Sequence, residues 1–288
     1  MAVYKRDYQT YKGPLTNVRL RFLVIPRYAF QDLFQWKILL LLFLVGYITP
    51  LVGGVLIYLH HNAKALQVLQ VPVAELLPID VKFFGFFLWF QCFYAFFFAT
   101  LVGPGLISPD LNNNALPLYL SRPLTRWDYV LGKISVLIIL LSALTWLPVI
   151  LMYAFQANME GWRWLTSNWR TGVAVMLSAA VWILVVSLLA LALSAWVRWR
   201  PVAGALLLGV FFAGAGFGAI VNQVLDTRWG HLLNVGGMMS TVADWLFGVQ
   251  NRTIDFPVPG AFVGLGIVCA LCLLLLSRKL KAYEVVRS

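Results

Sequence analysis

The side chains that could carry out chemistry are few in this chain, and they are widely spaced. The histidines are His60, His61 and His231, and no two of them have the His-x-x-x-His spacing that binds zinc on one helix face. Cys269 and Cys272 have the spacing of a redox pair, but they lie in a long apolar run, where thiols pack as small apolar side chains. The sequence therefore predicts no metal site and no catalytic residues.

A phosphate-binding loop is also missing from the sequence. Gly132-Lys133 is the only Gly-Lys pair, and Trp127 stands where the motif G-x-x-x-x-G-K-[ST] requires its first glycine. We therefore expect that the chain does not bind ATP through this motif, holds no cofactor directly and is not itself an enzyme.

The few polar residues belong to a strongly apolar chain. Hydrophobic residues make up 61% of its 288 residues and charged residues 11%, against about 45–50% and about 25% in soluble domains. So few charges cannot cover the surface of a soluble protein of this length. The net charge of +11 comes from basic residues scattered between apolar runs. This distribution disfavours nucleic-acid binding, which needs a dense basic patch.

Six stretches are long and apolar enough to cross a bilayer as helices, which need about 20 residues each. A β-barrel would instead show short segments of alternating hydrophobicity. We therefore predict an all-α integral membrane protein with a leader at 1–37, a transmembrane domain at 38–277 and a basic tail at 278–288. The predicted spans are about 38–59, 83–107, 131–156, 171–197, 202–223 and 258–277.

The basic residues predict the orientation of these spans, because cytoplasmic loops are enriched in Lys and Arg. In this topology, one side of the membrane has only six basic residues, namely Lys64, Lys82, Arg163, Arg170, Arg228 and Arg252. All other basic residues lie on the side of the N-terminus, in 1–37, 108–133, 198–200 and 278–288. Both termini are therefore predicted to be cytoplasmic.

Two amphipathic segments are predicted outside the spans. In the leader, Pro26 can open a helix on which Phe30, Leu33 and Phe34 share one face. Such a basic amphipathic helix is typical of the membrane surface, and the alternative is a simple extension of the first span.

The second amphipathic segment is the outer loop at 226–255. Thr241 and Asp244 have the spacing of a capping box, and the apolar residues that follow predict a short helix on, or dipping into, the outer leaflet. The alternative is a poorly ordered loop.

The loop at 108–130 has signals for two helix starts. Ser108 is a good N-cap and Pro109 a good first residue of a helix that Pro117 should end near Leu116. Thr125 and Asp128 then resemble a capping box that opens the third span.

Small residues and prolines mark special positions inside the spans. Gly214 and Gly218 have the spacing that lets helices approach closely. They predict either packing within one subunit or a seam between two subunits. Pro50 and Pro148 predict kinks in the first and third spans.

A family resemblance rests on the loop at 108–133. The residues Leu106-Ile107, Asp110 and the run Leu-Ser-Arg-Pro-Leu-Thr-Arg-Trp-Asp-Tyr-Val-Leu-Gly-Lys at 120–133 resemble the permease subunits of type-two ATP-binding-cassette (ABC) transporters. Six spans, termini inside, an amphipathic leader and an outer amphipathic segment between spans five and six are similar to that family too.

The resemblance implies one half of a dimeric channel in a bacterial cytoplasmic (inner) membrane, among membrane lipids. The other half is a second permease copy or a paralogue. Each half docks on a separate cytoplasmic ATPase, which binds ATP and Mg²⁺, through a coupling helix at about 109–116. The implied contacts with the ATPase are Pro109, Asp110, Leu111, Asn112, Asn113, Asn114, Leu116, Arg122, Arg126 and Asp128.

The resemblance also implies export of a hydrophobic or amphipathic substrate. An ion-coupled secondary transporter or channel is the main alternative. The predicted spans lack ionisable Asp, Glu, Lys or Arg in their interiors, where such carriers usually keep them, although sodium can bind to backbone carbonyls alone. A membrane-embedded enzyme or a scaffold remains as a further alternative.

Overall fold

The computed structural model describes residues 22–62, 78–113, 125–197, 199–249, 254 and 256–282, and within these ranges it contains helices and no strand. A short 3₁₀ helix at Trp229–Leu233 lies between the ninth and tenth α-helices. The α-helices are α1 Val24–Gln35, α2 Lys37–Val45, α3 Ile48–His61, α4 Val81–Val102, α5 Pro104–Asn112, α6 Arg126–Leu144, α7 Trp146–Glu160, α8 Trp162–Trp196, α9 Arg200–Leu225, α10 Val235–Leu246 and α11 Val258–Ala282.

Six helical segments are long and apolar enough to span a membrane, as predicted. Three are continuous helices, and three consist of two helices joined at a break, namely α2–α3, α4–α5 and α6–α7. The chain is therefore a multi-pass integral membrane protein. The segments are Lys37–His61, Val81–Asn112, Trp127–Glu160, Trp162–Trp196, Arg200–Leu225 and Val258–Lys279.

The predicted kinks in the first and third spans are confirmed, and proline explains both. Proline has no N–H, and its ring clashes with the carbonyl four residues earlier. Pro50 lies four residues after Gly46, where α2 gives way to α3, and Pro148 lies four residues after Leu144, where α6 ends. Each break therefore lies about one turn before its proline.

Side chains from neighbouring spans bond to carbonyl groups at these breaks. The buried Gln91 of α4 donates from Nε2 to the Gly46 carbonyl at 3.0 Å, and the Tyr94 hydroxyl donates to the Leu42 carbonyl. The Tyr47 hydroxyl donates to the Ala143 carbonyl of α6 at 2.8 Å. Because lipid offers backbone groups no partner, these bonds stabilise the kinks and join the first span to the second and third.

The central helix of the bundle is α8. It packs against α4, α5, α6, α7, α9, α10 and α11, and it has the largest buried share of the six segments. The segments at Lys37–His61, Arg200–Leu225 and Val258–Lys279 have the smallest. Their exposed side chains are mainly apolar, as expected for faces that contact lipid or another subunit.

The leader helix α1 is separate from the first span, because Trp36 between them is extended. It packs on α6 at Gly132, where an added Cβ would lie 2.8 Å from Ile25 Cδ1. The alternative of a simple extension is therefore wrong. The location of α1 at a membrane surface stays a prediction.

The outer segment contains a helix, but the predicted capping box at Thr241 is wrong. Helix α10 begins six residues earlier, where the Asn234 side chain accepts a hydrogen bond from the Gly237 N–H at 2.8 Å. Thr241 lies inside the helix, buried, and its hydroxyl donates to the Gly237 carbonyl at 3.0 Å. A threonine hydroxyl bonds in this way within a helix as well as at its start.

Gly214 and Gly218 hold this outer segment against α9. A Cβ at Gly214 would lie 2.4 Å from the Leu233 carbonyl oxygen, and one at Gly218 would lie 2.4 Å from the Gly230 carbonyl oxygen. The structure thus gives both glycines a packing role within one subunit.

We predict that Gln91→Leu lowers the free energy of unfolding by about 1–2 kcal/mol, because it leaves the Gly46 carbonyl unpaired in the bundle. The measurement is denaturation in detergent. Gln156→Leu is the matched control: Gln156 is also buried, and its Oε1, like that of Gln91, has no hydrogen-bond partner among the described residues. The two variants therefore differ in the bond from Gln91 Nε2 to the Gly46 carbonyl. Equal losses in the two variants would contradict the role of Gln91.

We predict that Gly218→Ala destabilises the protein in the same assay, because its methyl group would collide with the Gly230 carbonyl. Gly216→Ala is the control, since nothing lies within 4 Å of a Cβ at that position. The control should be neutral or stabilising by up to about 1 kcal/mol, the difference in helix propensity. The prediction fails if the two alanines have the same effect.

Candidate functional site

An ion pair joins the two helices that flank the loop at 113–125. Lys133 Nζ on α6 lies 2.8 Å from Asp110 Oδ2 on α5, and the Tyr129 hydroxyl donates to the same oxygen at 2.7 Å. Lys133 also lies 5.6 Å from the centre of the Tyr129 ring. We call these three residues the Asp110 cluster. Tyr129 and Lys133 are buried, so the cluster fixes α5 to α6 with little solvent screening.

A second polar contact fixes α5 to the central helix. The Ser194 hydroxyl of α8 accepts hydrogen bonds from the N–H groups of Ile107 and Ser108, at 3.2 and 3.0 Å, and donates to the Pro104 carbonyl at 3.0 Å. The Ser108 hydroxyl donates to the Val197 carbonyl at 2.7 Å. These contacts attach α5 to the end of α8.

The predicted role of Ser108 as an N-cap is therefore wrong. Helix α5 begins at Pro104, directly after Gly103, and proline suits a first helical position because its missing N–H needs no partner there. Gly103 allows a close approach, since a Cβ there would lie 2.8 Å from the Ala190 Cβ of α8. The segment predicted to start a new helix at Pro109 is instead the last turn of α5.

The predicted capping box at the start of α6 is confirmed. The Thr125 hydroxyl accepts from the Asp128 N–H at 3.2 Å, and Asp128 Oδ2 accepts from the Thr125 N–H at 2.9 Å. The geometry thus gives Asp128 a capping function. Its predicted contact with a partner stays a prediction.

Of the residues predicted to contact the ATPase, some are buried and others are exposed to solvent. Leu111 is 3% exposed, and Asp110 is mostly buried in its cluster. Asn112 and Asn113 are exposed at the end of α5, next to the half-buried Pro109. Asn114, Leu116, Arg122 and the side chain of Arg126 lie outside the described residues.

The sequence did not reveal the neighbours of this exposed tip. Trp199, Arg200 and Pro201, at the start of α9, line a cavity of about 340 Å³ together with Pro109, Asn112 and Asn113. Trp199 is 74% exposed. Its exposure beside the tip of α5 depends on tertiary packing, although its position near a predicted membrane boundary was a signal for an interface.

A larger cavity of about 700 Å³ lies beside the Asp110 cluster. Tyr28 and Asp32 of α1 form one wall together with Trp36, which follows the helix. Asp110, Lys133 and Arg200 form the polar part of the other wall. The leader, the tip of α5 and the start of α9 thus meet at one end of the bundle. Among the residues that the structure describes, no cluster of His, Cys, Asp and Glu could hold a metal ion.

The fold and this site define a class of protein: a polytopic α-helical membrane protein with a polar, partly exposed junction at one end of its bundle. The model of the ABC-2 family transporter proteins matches residues 27–276. The chain therefore belongs to that family, and it is the membrane subunit of an ABC transporter. No curated protein matches its sequence.

We predict that Asp110→Asn lowers the free energy of unfolding by about 3 kcal/mol, since it leaves the mostly buried Lys133 ammonium without its carboxylate. Combining it with Lys133→Met should cost less than the sum of the two single losses, because the pair is coupled. The measurement is a double-mutant cycle by denaturation in detergent. Strict additivity would show that the two residues act independently.

Proposed function

We propose that this chain forms half of a dimeric translocation pathway and that a separate cytoplasmic ATPase drives it through the exposed tip of α5. The family membership supports a partner ATPase in general. The observation that carries the proposal is the attachment of α5 on two sides, to α6 by the Asp110 cluster and to α8 by Ser108 and Ser194.

This attachment suits the transmission of motion. A force on Asn112 or Asn113 reaches Asp110 within one turn of the same helix, and from there it reaches Tyr129 and Lys133 through short contacts. The Ser194 bonds pass the same force to α8, which contacts most other helices. ATP and Mg²⁺ would be bound by the partner, and closure of the ATPases would tilt α5, α6 and α8 together.

The exposed apolar faces of the first and fifth spans suit contact with a second permease copy or a paralogue. Phe217, Ile220 and Val224 on α9 are each more than half exposed, and so is Leu51 on α3. We propose that a pathway between two such subunits exports a hydrophobic or amphipathic substrate.

The proposed setting is the cytoplasmic (inner) membrane of a bacterium, with both termini inside. The distribution of Lys and Arg supports this orientation. In it, α1, the tip of α5 and the start of α9 lie on the cytoplasmic side, where an ATPase can reach them. We propose that Pro109, Asn112 and Asn113 touch the ATPase, whereas Asp110 and Leu111 hold the helix in place.

An ion-coupled carrier or channel remains the second candidate. It would transport its substrate in liposomes under an ion gradient alone, without any ATPase. The ion pair between Lys133 and Asp110 joins two of the described spans, and it lies at the end of the bundle. Coupling sites of carriers lie near the bilayer midplane instead.

We predict that Asn113→Arg reduces co-purification of the ATPase at least tenfold while the melting temperature stays unchanged, because Asn113 is exposed. The measurement is a pull-down after co-expression with a cytoplasmic ABC ATPase subunit.

Thr166→Arg is the control for added charge, since Thr166 is exposed near the start of α8, at the opposite end of the bundle. It should leave the complex intact. Equal effects of the two variants, or an active permease that never binds an ATPase, would contradict the proposal.

A further inference from the structure

A second large cavity lies at the other end of the bundle, far from the Asp110 cluster. It has a volume of about 540 Å³ and is enclosed by α4, α8, α9 and α10. This volume falls within the range of about 300–1,000 Å³ that holds drug-sized ligands. The cavity lies within one subunit, so it does not depend on how two subunits pair.

Aromatic side chains form a large part of its wall. Trp89 and Phe93 of α4 are stacked with their ring centres 5.7 Å apart, and Phe96 packs on Phe211 of α9 at 4.5 Å. Trp89 and Phe212 are more than half exposed, so the cavity opens to the side of the bundle. A flat apolar molecule entering from the membrane would meet ring faces on both α4 and α9.

Two polar groups in the cavity wall, a hydroxyl and an ammonium group, have no hydrogen-bond or ion-pair partner among the described residues. Ser178 of α8 is 7% exposed, it lines the cavity, and its Oγ has no hydrogen-bond partner among the described residues. Lys82 is exposed in the first turn of α4, also on the cavity wall, and the described part of the chain gives its ammonium group no ion pair. Asp244 of α10 lines the cavity as well, but it makes an interaction of its own. A buried hydroxyl without a partner is unfavourable, and a ligand atom would satisfy it.

We propose that this cavity binds an anionic aromatic amphiphile. The ring body lies against Trp89, Phe93 and Phe212, a polar atom of the ligand bonds to the Ser178 hydroxyl, and the anionic group pairs with Lys82 at the outer rim. Few polar groups in an apolar wall are typical of small-molecule sites, where they fix the orientation of the ligand.

The proposal differs from the filling of a groove by lipid tails. An acyl chain has no atom that bonds to a serine hydroxyl and no charge along its length, so a groove filled by tails alone would be indifferent to Ser178 and Lys82. The site also stands apart from the proposed coupling to an ATPase, because binding is measured on the chain alone. Loss of the ATPase complex would leave it untouched.

The test uses two dyes that share one ring system and differ in charge. The first is 8-anilino-1-naphthalenesulfonate, which carries an anionic sulfonate, and the second is the neutral N-phenyl-1-naphthylamine. Each is titrated into the full chain in detergent, and its fluorescence is recorded. Partition of the dye into micelles is the same for all variants, so differences between variants report the site.

Ala215→Trp fills the cavity, since Ala215 lines it, and should weaken both dyes at least tenfold. Ala213→Trp is the matched control on the exposed side of α9 and should leave both affinities within twofold of the original. Where Ala215→Trp fails to fold, Gly85→Leu fills the same space, because a Cβ at Gly85 meets only Phe247, at 4.0 Å.

Lys82→Gln should weaken the sulfonate dye about five- to tenfold and leave the neutral dye within twofold. Ser178→Ala should weaken both dyes about threefold, because both carry the bridging N–H. The proposal is overturned if filling the cavity changes neither titration, if Ala213→Trp matches Ala215→Trp, or if Lys82→Gln affects the two dyes equally.

Discussion

The ion pair between Lys133 and Asp110 is the contact on which the functional account depends. It crosses from the end of the second span to the start of the third at 2.8 Å, and the Tyr129 hydroxyl shares the same carboxylate oxygen. A charged pair held in a mostly buried site tolerates little separation, because either charge alone is strongly disfavoured there. The proposed coupling therefore requires the tip of α5 to move together with α6.

The demand of the bilayer for paired backbone groups explains much of the remaining architecture. Prolines break the first and third spans, and Gln91, Tyr94 and Tyr47 bond to carbonyls at those breaks. At the other junction, Ser194 inserts its hydroxyl into the first turn of α5. Uncharged polar side chains thus connect four of the described spans.

Sequence reasoning found the features that depend on composition and local spacing. Long apolar runs defined the six spans, and Thr125 with Asp128 marked the start of α6 correctly. The errors at Ser108 and Thr241 have one cause: a hydroxyl near a proline or an acidic residue looks like a cap, but tertiary contacts let the helix begin earlier. The closeness of Trp199 to Asn113 likewise comes from packing that spacing does not record.

The most direct test of the account is site-specific photo-crosslinking from position 113 to the ATPase partner. A photoreactive residue replaces Asn113 in the full chain, and the same residue at Thr166 serves as the control at the opposite end of the bundle. If the tip of α5 docks on the ATPase, a covalent adduct forms from position 113 alone, with a yield that changes when ATP is added. No adduct at position 113, or equal adducts at both positions, would contradict it.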